Sequence, residues 1–298
     1  MKKIIALMMA GLMTATALAG CGGSKDNGDS KADSKTESAA AADAATADSA
    51  TADSAGGDWT YLEGKGTFTI GITYFEPMNF KDENGELTGF ETEFAKAVCA
   101  EMKLEPVFQE IDWDSKEIEL KSKTIDCIWN GMTITPERQE NMDISIPYME
   151  NRQVMVCKKE NVEKFAESVE GATVVAEAGS AGEDVAKKDE FFKGATYESV
   201  EAQSTALMEV KAGTADIAII DFVMSKGTVT EESDFSDLAV VEAKTFSPEQ
   251  YGIALRKGSA TTLEKLNAAI KAVNDSGKLK EIADKYNLGD MLLVKPQA

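Results

Sequence analysis

The chain has 298 residues and a formal net charge of −21, from 31 Lys and Arg against 52 Asp and Glu. That balance argues against nucleic acid as a partner, because phosphate contact needs concentrated Lys and Arg. The absence of any His removes Ser-His and Cys-His nucleophilic catalysis and every His-ligated metal site. No metal and no cofactor are expected.

In chain order, the first segment reads as an export signal. "MKK" is a short positive start, "IIALMMAGLM" is an apolar run too short to span a bilayer, and small residues follow. Leu18-Ala19-Gly20-Cys21 resembles the bacterial lipobox, in which the Cys becomes the lipidated first residue; an ordinary signal with an incidental Cys is the alternative. Residues 22–58 are almost entirely Gly, Ser, Ala, Asp, Thr and Lys with no apolar anchor, the composition of a disordered tether. The remaining residues, 59–298, suffice for one large domain or two small ones. Cys99, Cys127 and Cys157 all lie in apolar runs and have no zinc-like spacing, so buried small hydrophobes are expected, with a disulfide as the alternative.

The body alternates strands and helices. "GTFTIGITYF" is β-branched, and "FKDENGELTGF" turns at Asn84-Gly85. "GFETEFAKAVCAEMKL" places Phe90, Phe94, Ala97, Val98 and Met102 on one helical face. "PVFQEIDW" is a strand, "DSKEIELKSK" a short helix with Ile118 inward, and "TIDCIW" a buried strand running to Asn130. Further strands follow at "NRQVMVCKK" and "GATVVAEAGS", then helices from Ala181 to Lys188 and over "SVEAQSTALMEVKAG". "ADIAIID" is a buried strand, "SPEQYGIALRKG" a returning one, and two helices broken at Ser276-Gly277 close the chain. The fold class is α/β with mainly parallel sheets. "KSKTIDCIWN" and "KAGTADIAIID" share a Lys-Thr-Asp spacing, which suggests two similar βα lobes with polar groups at strand ends, where open α/β sheets bind ligands.

Four features gather at such ends. Arg138 follows "IDCIW" with Gly131 and Thr133 between; its planar fork suits a carboxylate, although an ion pair with Glu137 or Glu140 is an equal reading. Gly179-Ser180-Ala181-Gly182 opens a helix whose free amides favour an anion, and Ser180 with Glu183 also fits a capping box. Asp221 leaves a buried strand, where a bare carboxylate is costly without a cation or donors; capping the following helix is the alternative. Phe75 and Trp113 could sandwich a ligand side chain, or belong to the core. Two anion sites and one fixed anion complement a zwitterion.

At this point the chain resembles the extracellular solute-binding proteins of ABC importers, polar amino-acid type (family 3). "GFETEFAKAVCAEM" is similar to the family's signature helix, "NGMTITPER" to its hydroxyl-loop-Arg segment and "EQYGIALRKGS" to its return strand. The resemblance implies a type II periplasmic-binding-protein fold, with lobe one at 59–154 and 249–298, lobe two at 155–248, and two hinge strands. It implies that Arg138, Thr133 and the Ser180-Ala181 amides bind the ligand carboxylate. Asp221 and the Gly131 carbonyl would take its ammonium, with Phe75 and Trp113 flanking the side chain and Asn130 beside them. The implied partners are an amino acid and a membrane permease. The implied state is a monomer, lipid-anchored at Cys21 outside the cytoplasmic membrane, or periplasmic where there is an outer membrane. Members taking basic amino acids often carry an Asp where this chain has Ile72-Thr73, so an uncharged or polar ligand is favoured. An enzyme on the same scaffold, with Glu76 or Asp112 as base, and a ligand sensor are the rival readings.

Overall fold

The computed structural model describes residues 57–294, so the signal segment, Cys21 and the tether up to residue 56 lie outside the described residues. Helix α1 (Gly57–Lys65) starts slightly before the expected end of the tether, with Asp58 paired to Arg256 at 2.9 Å. Then come β1 (Thr67–Ile72), the hairpin β2 (Phe80–Lys81) and β3 (Leu87–Thr88), and α2 (Phe90–Met102). β4 (Glu105–Glu110), α3 (Lys116–Lys121), β5 (Cys127–Ile128), α4 (Pro136–Asn141) and β6 (Met142–Ile144) follow. β7 (Met149–Lys158) leads to α5 (Val162–Glu167), β8 (Thr173–Glu177), α6 (Ala181–Lys188), β9 (Thr196–Val200) and α7 (Gln203–Ala212). The chain ends with β10 (Ile217–Asp221), α8 (Phe222–Thr228), β11 (Leu238–Val240), β12 (Pro248–Tyr251), β13 (Ala254–Arg256), α9 (Ala260–Asp275) and α10 (Lys278–Lys285).

Two sheets result, ordered β4-β1-β5-β13-β6 and β11-β7-β10-β8-β9. Parallel pairing holds where helices connect the strands: β1 with β4 and β5, and β8 with β9 and β10. The expectation of mainly parallel sheets is too simple, since β7, β11 and β13 pair antiparallel where the chain crosses or returns. β7 joins the halves. Its start pairs with β12 (Met149 with Tyr251, Arg152 with Pro248) and its end with β10 and β11. These two paired strands are the hinge of a two-lobed fold.

The apolar pattern explains the layers. In α2, Phe90, Phe94, Ala95, Val98, Cys99 and Met102 are buried on one face. In β7 the core takes Val154 and Val156 on one side and Met155 and Cys157 on the other. β10 divides the same way, Ala218 and Ile220 against Ile217 and Ile219. A sheet covered on both faces reads as a continuous apolar run, as these strands do. Cys99, Cys127 and Cys157 are buried and unbridged.

The internal repeat has a structural meaning. Asp126 donates its N–H to the Thr69 carbonyl and accepts from the Thr69 N–H at 2.8 Å. Asp216 does the same with Thr173, at 2.9 Å for each bond. Each Asp thus pins its strand to the neighbouring parallel strand in the same way.

Some local expectations fail. Ile118 is 70% exposed, and α3 instead turns Lys116 and Leu120 inward. Ser199 and Val200 belong to β9 rather than to the following helix, because β9 is a polar edge strand with little apolar signal. The return segment breaks into β12 and β13, and Ala97 is only partly buried.

Candidate functional site

Of the charges expected to meet a ligand, Arg138 lies in α4 and Asp221 is the last residue of β10. Thr135 caps α4 by accepting from the Arg138 N–H at 3.2 Å, and Pro136 occupies the first turn, where no N–H is needed. This aims the Arg138 side chain inward, leaving it 9% exposed. Its Nη1 donates to the Thr133 carbonyl at 2.9 Å and its Nη2 to the Gly179 carbonyl, on the other sheet's side, at 3.2 Å. Arg138 makes no ion pair with Glu137 or Glu140 among the described residues, so the surface-pair alternative falls.

Asp221 stands at the first position before α8 but makes no side-chain capping bond. Its carboxylate accepts instead from Asn151, Gln153 (2.7 Å) and Gln203, while its N–H donates to Gln203 Oε1 at 2.8 Å. Burial raises its pKa above the ordinary aspartate value, opposed by these bonds, Gln203 first.

Ser180 caps α6, accepting from the Glu183 N–H at 3.1 Å, and Glu183 reaches back to the Gly179 N–H at 2.9 Å. The Ser180 N–H is spent on the Glu177 carbonyl at 3.2 Å. The expectation of two free amides here is therefore corrected to one, that of Ala181, which has no acceptor among the described residues.

Trp113, Asn130, Gly131, Thr133, Arg138, Ser180, Ala181 and Asp221 all line one crevice, together with Glu177 and Gln203. Its volume is about 10 Å³, room for about one water molecule: the two sides are closed on each other. Phe75 does not line it. Its ring packs beneath Gly131, where a Cβ would come within 2.8 Å of Phe75 Cζ, and Gly131 has φ +57°. Glycine is required there both by conformation and by space. Asn130 donates to Thr73 Oγ1 at 2.6 Å and accepts from Asn79 at 2.9 Å. Glu76 and Asp112 are absent from the crevice lining.

Several participants escaped sequence reading. Glu177 ends β8 as Asp221 ends β10, and the same apolar-strand-then-acid signal could have flagged it. It is 4% exposed, and burial with the Asp221 charge pushes its pKa up to about 8. Glu249 accepts from Thr133 Oγ1 (3.2 Å), Asn151 (3.2 Å) and Gln153 (3.1 Å), and burial lifts it to about 7. Glu91, in the first turn of α2, accepts from the Gly131 N–H at 2.9 Å, from Asn79 at 3.0 Å and from the Tyr148 hydroxyl. Lys116 is 5% exposed and donates to the Trp113 and Gly179 carbonyls, each at 3.0 Å. Burial and nearby Arg138 lower its pKa to about 8.

The chain as a whole has known relatives. Residues 68–289 match the family described as bacterial extracellular solute-binding proteins, family 3. The arginine-binding extracellular protein ArtP of Bacillus subtilis is 31% identical over 72% of this chain and 84% of its own length. The L-cystine-binding protein TcyA of the same organism is 28% identical over 96% of this chain and 97% of its own. Among solved structures, an ABC uptake transporter substrate-binding protein from Streptococcus pneumoniae with bound histidine aligns with TM-score 0.74 at 31% identity, covering 80% of this chain and all of the other. The chain belongs to the bacterial extracellular solute-binding proteins, family 3.

Proposed function

We propose that this protein binds a free amino acid between its two lobes outside the cytoplasmic membrane and hands it to a membrane ABC permease for import. One observation carries the reading: Arg138, buried on α4, and Asp221, buried at the end of β10, line a single crevice without pairing with each other. Opposite fixed charges held apart in one cleft match a molecule charged minus at one end and plus at the other.

In this reading Arg138, the Thr133 hydroxyl and the Ala181 amide take the α-carboxylate. Asp221 and the Gly131 carbonyl take the α-ammonium, and Trp113 flanks the side chain, with Phe75 supporting Gly131 from below. Charge-assisted bonds contribute roughly 1.5–3 kcal/mol each, and micromolar affinity needs about 8 kcal/mol net. Three or four such bonds suffice after the cost of immobilising the ligand. Contacts drawn from both lobes are complete only in the closed form, so ligand shifts the population toward closure. The permease then reads the closed shape.

The lobes are taken as 59–154 with 249–298, and 155–248, a division supported by β7 and β12 pairing at its borders. A lipid on Cys21 and a monomeric state complete the reading. Binding rather than catalysis is favoured because Glu76 and Asp112, the carboxylates available as bases, lie outside the crevice lining. The case for an uncharged or polar ligand rests on Ile72 and Thr73, which place no acid at the end of β1.

Calorimetry against the twenty common amino acids and cystine tests the function, with mass spectrometry checking that the ligand is recovered unchanged. We expect Arg138→Ala and Asp221→Ala each to weaken binding at least about tenfold, roughly 1.4 kcal/mol, while unfolding stays cooperative. Unaltered affinity in both variants would show the site to be misplaced, and heat from no amino acid would end the reading.

A further inference from the structure

The Thr133 hydroxyl has one hydrogen and two claims on it. It donates to Glu249 Oε2 at 3.2 Å, and a ligand carboxylate at the same hydroxyl also accepts without donating. Both claims cannot be met while Glu249 is ionised. Two carboxylates would then share one hydroxyl hydrogen, where Thr133 is only 4% exposed and bare charge is costly.

The surroundings of Glu249 offer a way out. It lies on β12, opposite Asn151 of β7. Its Oε2 takes hydrogens from Asn151 at 3.2 Å and Gln153 at 3.1 Å as well as from Thr133. All three donors are neutral. The same two amide nitrogens also donate to Asp221, so neither has a hydrogen left over. The charged or titratable groups that act on Glu249 are Asp221 at the end of β10, Arg138 on α4 and the Tyr251 hydroxyl on its own strand. From β7 it meets the two amides, because Glu150 and Arg152 alternate to the opposite face, where Arg152 stacks on Phe222 and pairs with Glu242 at 3.6 Å. Burial and the Asp221 charge lift Glu249 to about 7, so near neutral pH a proton is taken on at small cost.

Resting on the function proposed above, we infer that Glu249 is a positioning residue that sets the direction of the Thr133 hydroxyl, and that the ligand is bound together with a proton on Glu249. Solvent supplies the proton. Glu249 Oε2 then donates to Thr133 Oγ1, and the Thr133 hydrogen turns to the ligand carboxylate. Glu249 Oε1 accepts from no donor among the described residues, so an amide displaced from Oε2 has an acceptor beside it. The ligand ammonium offsets the Asp221 charge that helps to hold the proton. The ligand carboxylate, one hydroxyl away from Glu249, puts an equal charge back. Affinity therefore falls as pH rises through about 7, by up to about tenfold between pH 6 and pH 8.

The test is calorimetry of the mature protein at pH 6 and pH 8, in buffers of different ionisation enthalpy. The probe is the tightest binder among the twenty common amino acids and cystine. Glu177 and Lys116 also titrate near pH 8, so each variant is read against the wild type at the same pH. Thr133→Val is expected to weaken binding about tenfold at pH 6 but less than about twofold at pH 8, where the hydroxyl hydrogen is already spent on Glu249. Glu249→Gln gives Thr133 a permanent N–H donor. It is expected to bind about tenfold tighter than the wild type at pH 8, a gain that misfolding cannot imitate. At pH 8 the wild type is expected to take up about one more proton on binding than either variant. A Thr133→Val loss of equal size at both pH values overturns this inference alone, whether or not Glu249→Gln folds. Folded Glu249→Gln binding no tighter than the wild type at pH 8 overturns it too. Binding of no amino acid by the wild type overturns both this inference and the function beneath it.

Discussion

Glu91 illustrates how much of the site is held by residues that never meet the ligand. It lies in the first turn of α2, where an acid is favoured by the helix dipole and is usually solvated, yet it is 1% exposed. Removing it strands the Tyr148 hydroxyl and the Gly131 N–H and costs the Asn79 amide one of its two acceptors, and each buried orphan costs about 1–3 kcal/mol. We expect Glu91→Ala to lower the melting temperature by roughly 5–10 °C and to weaken ligand binding as Gly131 loosens. Glu91→Gln, which imitates the protonated acid, should restore most of the stability; scanning calorimetry of the pair would reveal a purely surface role if neither moved. Asp221 was legible in the sequence because a charge closing an apolar strand must be answered by something, and Arg138 because it follows a Gly-Thr loop past such a strand. Glu91, Asn151, Gln153 and Gln203 were not, since their partners lie 12 to 98 residues away and leave no local trace.

Among the elements, α3 is the one whose orientation was misread, and the misreading hides a contact between the lobes. A six-residue helix offers two faces with similar apolar content, and Ile118 suggested the wrong one. The face that turns inward carries Lys116, whose ammonium lies 4.8 Å from the Trp113 ring centroid and reaches the Gly179 carbonyl that Arg138 also holds. Lys116→Met keeps the buried stem but removes two charge-assisted bonds, of roughly 1.5–3 kcal/mol each before solvent compensates the freed carbonyls. We expect ligand release to quicken by about tenfold with a smaller change in association rate, since mutations at one interface act mostly on dissociation. Stopped-flow tryptophan fluorescence would measure both, and an unchanged release rate would rule out a role in closure. α2, α6 and α7 were readable from period and caps. β9 and β11 were not: one is a polar edge and the other only three residues long.

Across the whole molecule the buried acids set a pH response. Glu91, Glu177 and Glu249 are raised by burial from the ordinary 4.5 to about 7, 8 and 7. The folded protein therefore binds more protons than the unfolded chain between about pH 4.5 and 8. Their contribution to stability is complete below 4.5 and is lost as pH rises through 7 and 8. Lys116, lowered to about 8, works in the opposite sense, but only above that pH. The melting temperature without ligand should accordingly be higher at pH 5 than at pH 8 at fixed ionic strength, and the reverse order in a thermal scan would contradict the buried-acid account. The two-lobed plan was visible in the alternation of strands and helices and in the Lys-Thr-Asp repeat, whereas the closeness of the lobes depends on bonds made across the cleft. The paired strands β7 and β12 add a mechanical consequence. In the proposed closure a two-strand ribbon flexes like the spine of a book, so opening would part the covers without letting one page slide past the other. Arg138 then returns to the same opposing backbone at every closing, and discrimination falls to the chemistry of the facing pages.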